Sequence, residues 1–202
     1  AINGAANYAQ KENPDFMIFQ EVDRDSTRSY HVNQEKLITN KFSNYYENFA
    51  VNYDSAYLFY PFNKPIGKSY SGIAFYSKYP VASALRRSFP ISTSFSKILD
   101  LDRCYSVSRI PVDNGKELVI YSIHMSAYGN SDKIREGQTS MLFNDMKTER
   151  KKGNYVICGG DFNHNLKLDE NDNEKHEGWA YPKKQNAKRI ELCNGSIIKG
   201  KI

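Results

Sequence analysis

The sequence predicts an α/β domain built around a mixed β-sheet, and three observations carry that prediction. Asp15-Phe-Met-Ile-Phe-Gln-Glu-Val22 is a nearly continuous apolar run that ends in charge. Two β-rich segments, Cys104–Val112 and Glu117–Met125, flank the turn residues Asp113-Asn114-Gly115. A helical segment beginning at Ser131-Asp132 leads through Gly153 into the short apolar run Tyr155-Val-Ile-Cys158. Strands therefore alternate with helices and with one hairpin.

In chain order, Ala5 to Glu12 reads as the end of a helix. Asn13-Pro14 closes it, because the residue before a proline resists the α conformation. The run Asp15–Val22 is expected to be a strand buried on both faces. Ser26 to Thr39 is polar with scattered apolar positions, a loop leading into a helix. Phe49 to Tyr60, followed by Pro61-Phe-Asn-Lys-Pro65, is rich in aromatics and is expected to form a loop beside a cleft. Ser71-Gly-Ile-Ala-Phe-Tyr-Ser77 is a second strand, stopped by Lys78-Tyr79-Pro80. Asn and Gly tolerate positive φ, so Asp113-Asn114-Gly115 is hairpin chemistry. In the following helix Ile134, Met141, Leu142, Phe143 and Met146 keep near one face. Lys147, Arg150, Lys151 and Lys152 crowd its carboxyl end, which favours cations. Tyr155–Cys158 is a further buried strand, running into Gly159-Gly160-Asp161-Phe162-Asn163. After Asn163, only Ser196-Ile197-Ile198 with Lys199 has strand character.

Composition limits the class of function. With 40% hydrophobic residues and 27 aromatics in 202 positions, the chain is not disordered. A single domain spanning 1–202 would bury roughly 70% of its unfolded surface. A formal charge of +5 suits a phosphate-bearing substrate but is too weak to announce a nucleic-acid binder. No apolar run approaches the roughly 18 residues of a membrane helix. Cys104, Cys158 and Cys193 are far apart and form no CxxC pair, which argues against a disulfide framework or a zinc ribbon. Nothing in the sequence specifies a compartment.

Three polar sites lie where strands run out: Glu21, then His124, then Asp161 with Asn163. Strand ends are where a rigid sheet brings side chains together on a ligand. Two carboxylates, an imidazole and a carboxamide make a hard-oxygen set with one nitrogen. Magnesium favours such oxygens and keeps several waters, so one or two carboxylates hold it beside a phosphate. Each residue also has an ordinary reading. Glu21 would be a solvated strand end, His124 a hydrogen-bonded core imidazole, and Asp161 or Asn163 a turn cap. Their joint placement at strand ends favours the chemical reading. Asp169-Glu-Asn-Asp-Asn-Glu174 is not a calcium loop, since the required glycine and the twelfth-position carboxylate are missing. Asn194-Gly195-Ser196 fits a glycosylation triplet of a kind that arises by chance.

The motifs carry a resemblance. Asn13-Pro14-Asp15 running into Gln20-Glu21-Val22 comes first, then Ser71-Gly72-Ile73 with Ser77-Lys78-Tyr79-Pro80. Ser122-Ile123-His124-Met125 and Gly160-Asp161-Phe162-Asn163 follow. In this order and spacing, from about residue 5 to about residue 165, the chain resembles the endonuclease/exonuclease/phosphatase superfamily. The resemblance implies a four-layer α/β (α+β) sandwich, two packed mixed β-sheets with helices outside. It also implies hydrolysis of a phosphoester by Mg2+-assisted, in-line attack of water, with Mn2+ as a substitute ion. By position, Glu21 resembles the metal-binding glutamate and His124 the histidine on the scissile phosphate. Asp161 resembles the carboxylate that orients the water and shares in metal binding, and Asn163 a phosphate and water ligand. Arg103 is expected on the phosphate, in a basic rim with Arg28, Arg135, Lys64 and Lys68. His164 is expected as a surface imidazole within reach of substrate. The substrate would be nucleic acid, an inositol phosphate or a phospholipid headgroup.

Two family features are missing. The opening strand that ends in a metal-binding asparagine has no counterpart, and neither does the closing Ser-Asp-His strand. The domain is therefore expected to be incomplete at both ends, with unpaired sheet edges that another copy or a partner would cover. The alternative reading is a catalytically incomplete fragment or binding module. A two-metal calcineurin-like phosphoesterase would need more histidines than His31, His124, His164 and His176.

Overall fold

A computed structural model of the chain describes residues 2–59, 62–91, 102–126 and 132–163, together with the backbone of strand residues 188–193 and 196–201. Ala1–Asn163 form one compact unit and His164–Ile202 a second.

Among its described residues, the first unit holds two sheets and three α-helices. Strands β1 (Phe16–Asp23), β2 (Tyr46–Leu58) and β3 (Gly67–Ser77) form an antiparallel sheet in the order β1-β3-β2. Strands β4 (Ser83–Ser88), β5 (Cys104–Pro111), β6 (Glu117–His124) and β7 (Tyr155–Asp161) form a mixed sheet in chain order, with β6 and β7 parallel. Helices α1 (Ile2–Glu12) and α2 (Gln34–Lys41) pack on the first sheet, and α3 (Asp132–Lys151) on the second.

Strand alternation assigns each side chain to a layer. On the first sheet, Met17, Val22, Ala74 and Tyr76 join Ala6 of α1 and Ile38 of α2. The opposite faces meet in the sandwich, where Phe75 packs with Ile110 and Ile120, and Ile73 with Ala50 and Cys104. On the outer face of the second sheet, Tyr105, Val119, Tyr121 and Ile123 pack with Leu142 of α3. Ile73, Phe75 and Ile120 are almost wholly buried, and each such side chain contributes about 1.5–3 kcal/mol by leaving water. Toward one end the sandwich turns polar, since Ser106, Ser108, Ser122 and His124 occupy the inward register of β5 and β6.

Local chemistry sets the element ends. Asn13, at φ 45, closes α1 by donating its N–H to the Ala9 carbonyl. The Asn33 side chain caps α2 by accepting the N–H of Lys36 at 2.8 Å. The β5–β6 turn uses Gly115 at φ 73, with Asn114 Oδ1 accepting the Lys116 N–H. Gly153, at φ 85, follows α3. Among the described residues, no helix is long and apolar enough to cross a membrane.

Three expectations need correction. The aromatic segment from Phe49 onward is not a loop, because residues up to Leu58 belong to β2. Its inward positions Ala50 and Asn52 carry small or polar side chains, which hides the alternation from a reading by hydrophobicity. Strand β1 packs on both faces as expected, with Met17 and Phe19 on the helix side and Phe16 and Ile18 in the sandwich, whereas β7 is not buried on both faces. Both lie at the outer edge of their sheets, and Tyr155 and Ile157 stay 43% and 36% exposed. Finally, β9 (Ser196–Lys201) is not the lone late strand, since it pairs antiparallel with β8 (Lys188–Cys193) in the second unit.

Candidate active site

The site assembles at the polar end of the sandwich. Parallel pairing of β6 with β7 sets His124 opposite Asp161, and β5 brings Cys104 opposite His124 from the other side. Gly160 lets this happen: at φ 135 a side chain is strained, and a Cβ there would lie 2.2 Å from the Ile123 carbonyl oxygen. His124 is 2% exposed.

Glu21 arrives from the facing sheet through a β-bulge. The β1–β3 register slips between Phe19 and Val22, so one extra residue sits on β1 and the alternation flips. Val22 thereby joins Met17 in the helix-side core, and Glu21 takes φ 55. Strand β2 slips at the same level, between Val51 and Tyr53. Between the two bulges runs Gly72, where a Cβ would lie 2.3 Å from the Ala50 carbonyl oxygen. Paired bulges thus deliver Glu21 from one edge of the sheet and Asn52 from the other.

The imidazole of His124 is the centre of the cluster. Its Nε2 lies 3.9 Å from Glu21 Oε1 and 3.9 Å from Asp161 Oδ2. The two carboxylates therefore stand within twice that distance of each other. Arg103, 5% exposed, places Nη1 2.8 Å from Nε2 and 3.3 Å from Nδ1. Burial pushes the His124 pKa down to about 4, helped by the Arg103 charge and opposed by Glu21 and Asp161. The ring is neutral at pH 7. Burial works to raise the Glu21 pKa, but the charge and hydrogen bond of Arg28, with His124 and Arg103 behind them, bring it below the usual value.

Arg28 Nη1 donates to Glu21 Oε2 at 2.8 Å, while its Nε donates to the buried Asp23 at 3.0 Å. Asn163, at φ 50, donates its backbone N–H to Asp161 Oδ1 at 2.8 Å and its side-chain amide to the Met125 carbonyl at 2.8 Å. Asp161 is thus pinned by one oxygen and faces His124 with the other. Of the expected site residues, Glu21, His124, Asp161 and Arg103 share one cluster, Asn163 adjoins it through Asp161, and His164 lies outside the described residues. Of the basic rim, Arg28 and Arg103 reach the cluster, whereas Lys68 closes on Asp25 at 2.6 Å.

Two contributors were not singled out from sequence. Asp23 holds Arg28, and Asn52, 5% exposed, puts Nδ2 3.4 Å from His124 Nδ1. The available signal was a polar residue in the inward register of a strand, which reading the segment as a loop concealed.

Among the described residues, no group of three or more His, Cys, Asp or Glu side chains converges as a closed metal site. Magnesium does not require one, since it is held by one or two carboxylates and retains its waters. Glu21 and Asp161, facing one another across His124, fit a hydrated ion of that kind.

The sequence profile of the Endonuclease/Exonuclease/phosphatase family matches residues 2–182. No curated protein matches closely enough to count as a relative. Among solved structures, the human Nocturnin catalytic domain with bound sulfate is 16% identical at TM-score 0.58, over 81% of this chain and 56% of that one. A family protein from Leptotrichia buccalis is 16% identical at TM-score 0.56, over 81% and 61%. ANGEL2, described as a 2',3'-cyclic phosphatase, is 16% identical at TM-score 0.53, over 80% and 42%. The chain thus spans about half the length of the structures it matches. Those likenesses carry the sandwich fold. The profile match over most of the sequence carries the assignment: this chain belongs to the endonuclease/exonuclease/phosphatase family.

Proposed function

We propose that this chain is a phosphoester hydrolase domain that works with Mg2+, or with Mn2+ in its place. The observation that carries the reading is the approach of Glu21, Asp161 and Arg103 to the single atom Nε2 of a buried, neutral His124. Opposite charges held around one imidazole suit a phosphoryl group with an attacking water beside it.

Glu21, with Asp161 reaching bound waters, would hold the cation, which supplies positive charge against the developing charge on phosphorus. Arg103 and His124 donate hydrogen bonds to the non-bridging phosphoryl oxygens. Asp161 Oδ2 orients the water and accepts its proton as the oxygen bonds to phosphorus. The ester P–O bond opposite breaks, and the leaving oxygen takes a proton from solvent. Asn163 holds Asp161 in position through the other carboxylate oxygen. Among phosphoesters, a nucleic-acid-related substrate is favoured, because ANGEL2, similar in fold, is described as a 2',3'-cyclic phosphatase.

A second reading has its own observation. Arg28 occupies Glu21, as expected of a catalytically incomplete binding module. Turnover of bis-p-nitrophenyl phosphate separates the two readings. Hydrolysis that needs added MgCl2 and falls by roughly 10²–10⁴ in His124→Ala and Asp161→Ala supports the enzyme. Hydrolysis indifferent to EDTA and to both substitutions overturns it.

A further inference from the structure

The far end of the β2–β3 hairpin is apolar and faces water. Leu58 opposite Gly67 is its last paired position. Beyond it Phe59 and Phe62 are 69% and 86% exposed, and Ile66 is exposed as well. Tyr57, exposed just before Leu58, packs its ring edge to face on Phe59 with centroids 4.8 Å apart. The two rings thus form one surface. A cluster of large apolar side chains left in water marks a contact surface, whereas single exposed ones do not.

The turn Thr27–Ser29 is fastened to the base of this hairpin. The Lys68 N–H donates to Thr27 Oγ1 at 2.9 Å. A Cβ on Gly67, at φ 75, would lie 2.5 Å from the same oxygen, so only glycine admits this approach. Tyr30 and Val32, which leave the turn, are exposed too. Thr27 also precedes Arg28, whose guanidinium contacts Glu21. The apolar end of the hairpin is therefore tied to one rim of the candidate active site.

We propose that this hairpin end docks the protein on the surface of an anionic lipid bilayer. The charge pattern selects that occupant. From position 55 to 99 the sequence has no Asp or Glu, while Lys64, Lys68, Lys78, Arg86 and Arg87 fall in the same stretch. Lys64 is exposed between Phe62 and Ile66. Asp54 lies further down β2, opposite Tyr70, and Asp25, at the base, is closed by Lys68 at 2.6 Å. Aromatic and aliphatic side chains enter the boundary between headgroups and acyl chains, and a lysine among them meets the lipid phosphates. Nucleic acid suits the patch less, because bases stack on aromatic faces and Ile66 and Val32 have none. A second copy would set like charges against each other. Docking of this kind does not depend on which phosphoester the cleft takes.

The experiment is flotation of the full chain with vesicles of phosphatidylcholine and phosphatidylserine at roughly 7:3, without Mg2+ or substrate. Wild type is expected to float with them, and to bind vesicles of phosphatidylcholine alone roughly fivefold or more weakly. Joint substitution Phe59→Ala and Phe62→Ala should lower binding to the mixed vesicles about tenfold or more. Both side chains are exposed, so the Tm of that variant should match wild type. Lys64→Ala should lower binding roughly fivefold, the scale of one lysine near such a surface. Phe143→Ala, which removes an exposed aromatic of α3, should bind like wild type. In Phe62→Trp the added emission should shift to the blue, and brominated lipid should quench it. Wild type that stays with the unbound fraction overturns the proposal, as does equal binding by the double variant. Binding of a single-stranded oligonucleotide that needs Phe59 and Phe62 while vesicles are ignored overturns it too, and so does a dimer in sedimentation velocity that needs them. Vesicle binding as stated, without hydrolysis of bis-p-nitrophenyl phosphate, would overturn the functional reading alone.

Discussion

Arg28 donates from Nη1 to Glu21 Oε2 at 2.8 Å, so a cation approaching Glu21 meets a guanidinium already in place. The grip of Asp23 explains why the arginine stays there. That carboxylate, its side chain 3% exposed, takes two hydrogen bonds from Arg28 through Oδ1 and one through Oδ2, and a further one from Ser26. Arg28 is therefore anchored from below and only leans on Glu21.

Arg28→Ala separates the two contacts. The pair with Glu21 is half-exposed, 43% and 54%, and such pairs contribute about 0–1 kcal/mol. Removing it should tighten Mg2+ binding, by no more than a few-fold in isothermal titration. Asp23 meanwhile loses its cation in a buried place, which should destabilise the fold by about 1–3 kcal/mol in urea unfolding. Weaker Mg2+ binding in this variant would mean that Arg28 organises the metal site rather than competing for it.

Glu21→Gln keeps the shape of the bulge and removes the charge. In wild type, Mg2+ at a hundredfold excess over its Kd should stabilise the native state by about 2.7 kcal/mol, a rise of roughly 5–10 °C in Tm for a chain of this size. The variant should lose that rise while its Tm without Mg2+ stays close to wild type. A wild-type Tm insensitive to millimolar MgCl2 would count against the cation.

Gly160→Ala tests the close approach that brings β7 to β6. The substituted Cβ would lie 2.2 Å from the Ile123 carbonyl oxygen, on a backbone at φ 135. Neither strand can retreat without breaking the ladder that aligns His124 with Asp161. A loss of more than about 2 kcal/mol is expected from strain of this kind, measured by chemical denaturation. Gly115→Ala is the comparison: it shares the positive φ, but its Cβ would meet open space.

The network beneath the second sheet gives a pH dependence. Hydrogen bonds from Arg109 above all, then from Lys152 and Asn154, hold the Glu149 pKa down to about 2 against the opposing effect of burial. Its ordinary value is 4.5. Because the folded pKa is the lower one, this contribution to stability is complete above about pH 5 and is lost as the pH falls toward 2. Glu149→Gln should cost about 2 kcal/mol at pH 7, the scale of hydrogen bonds to charged groups. The gap from wild type should close by pH 2–3 in thermal melts. A gap constant with pH would mean that Glu149 acts through shape alone.

The sequence by itself determined the elements whose signals are local. Asn13-Pro14 ends a helix because proline restricts the residue before it, and Gly115 makes a turn because it tolerates positive φ. Glu21, His124 and Asp161 stood out because each follows an apolar run at a strand end. Only the tertiary structure decided what depends on register between distant strands. The bulges at Glu21 and Asn52 are mismatches in pairing with β3, and no single strand records its partner's count. Asn52 looked like one polar residue among aromatics until β2 was laid against β3 and faced β5. The hold of Asn52 on His124 is likewise a contact across 72 positions of chain. Such contacts arise only when layers close. Burial then decides the chemistry, since the same imidazole in water would have no depressed pKa.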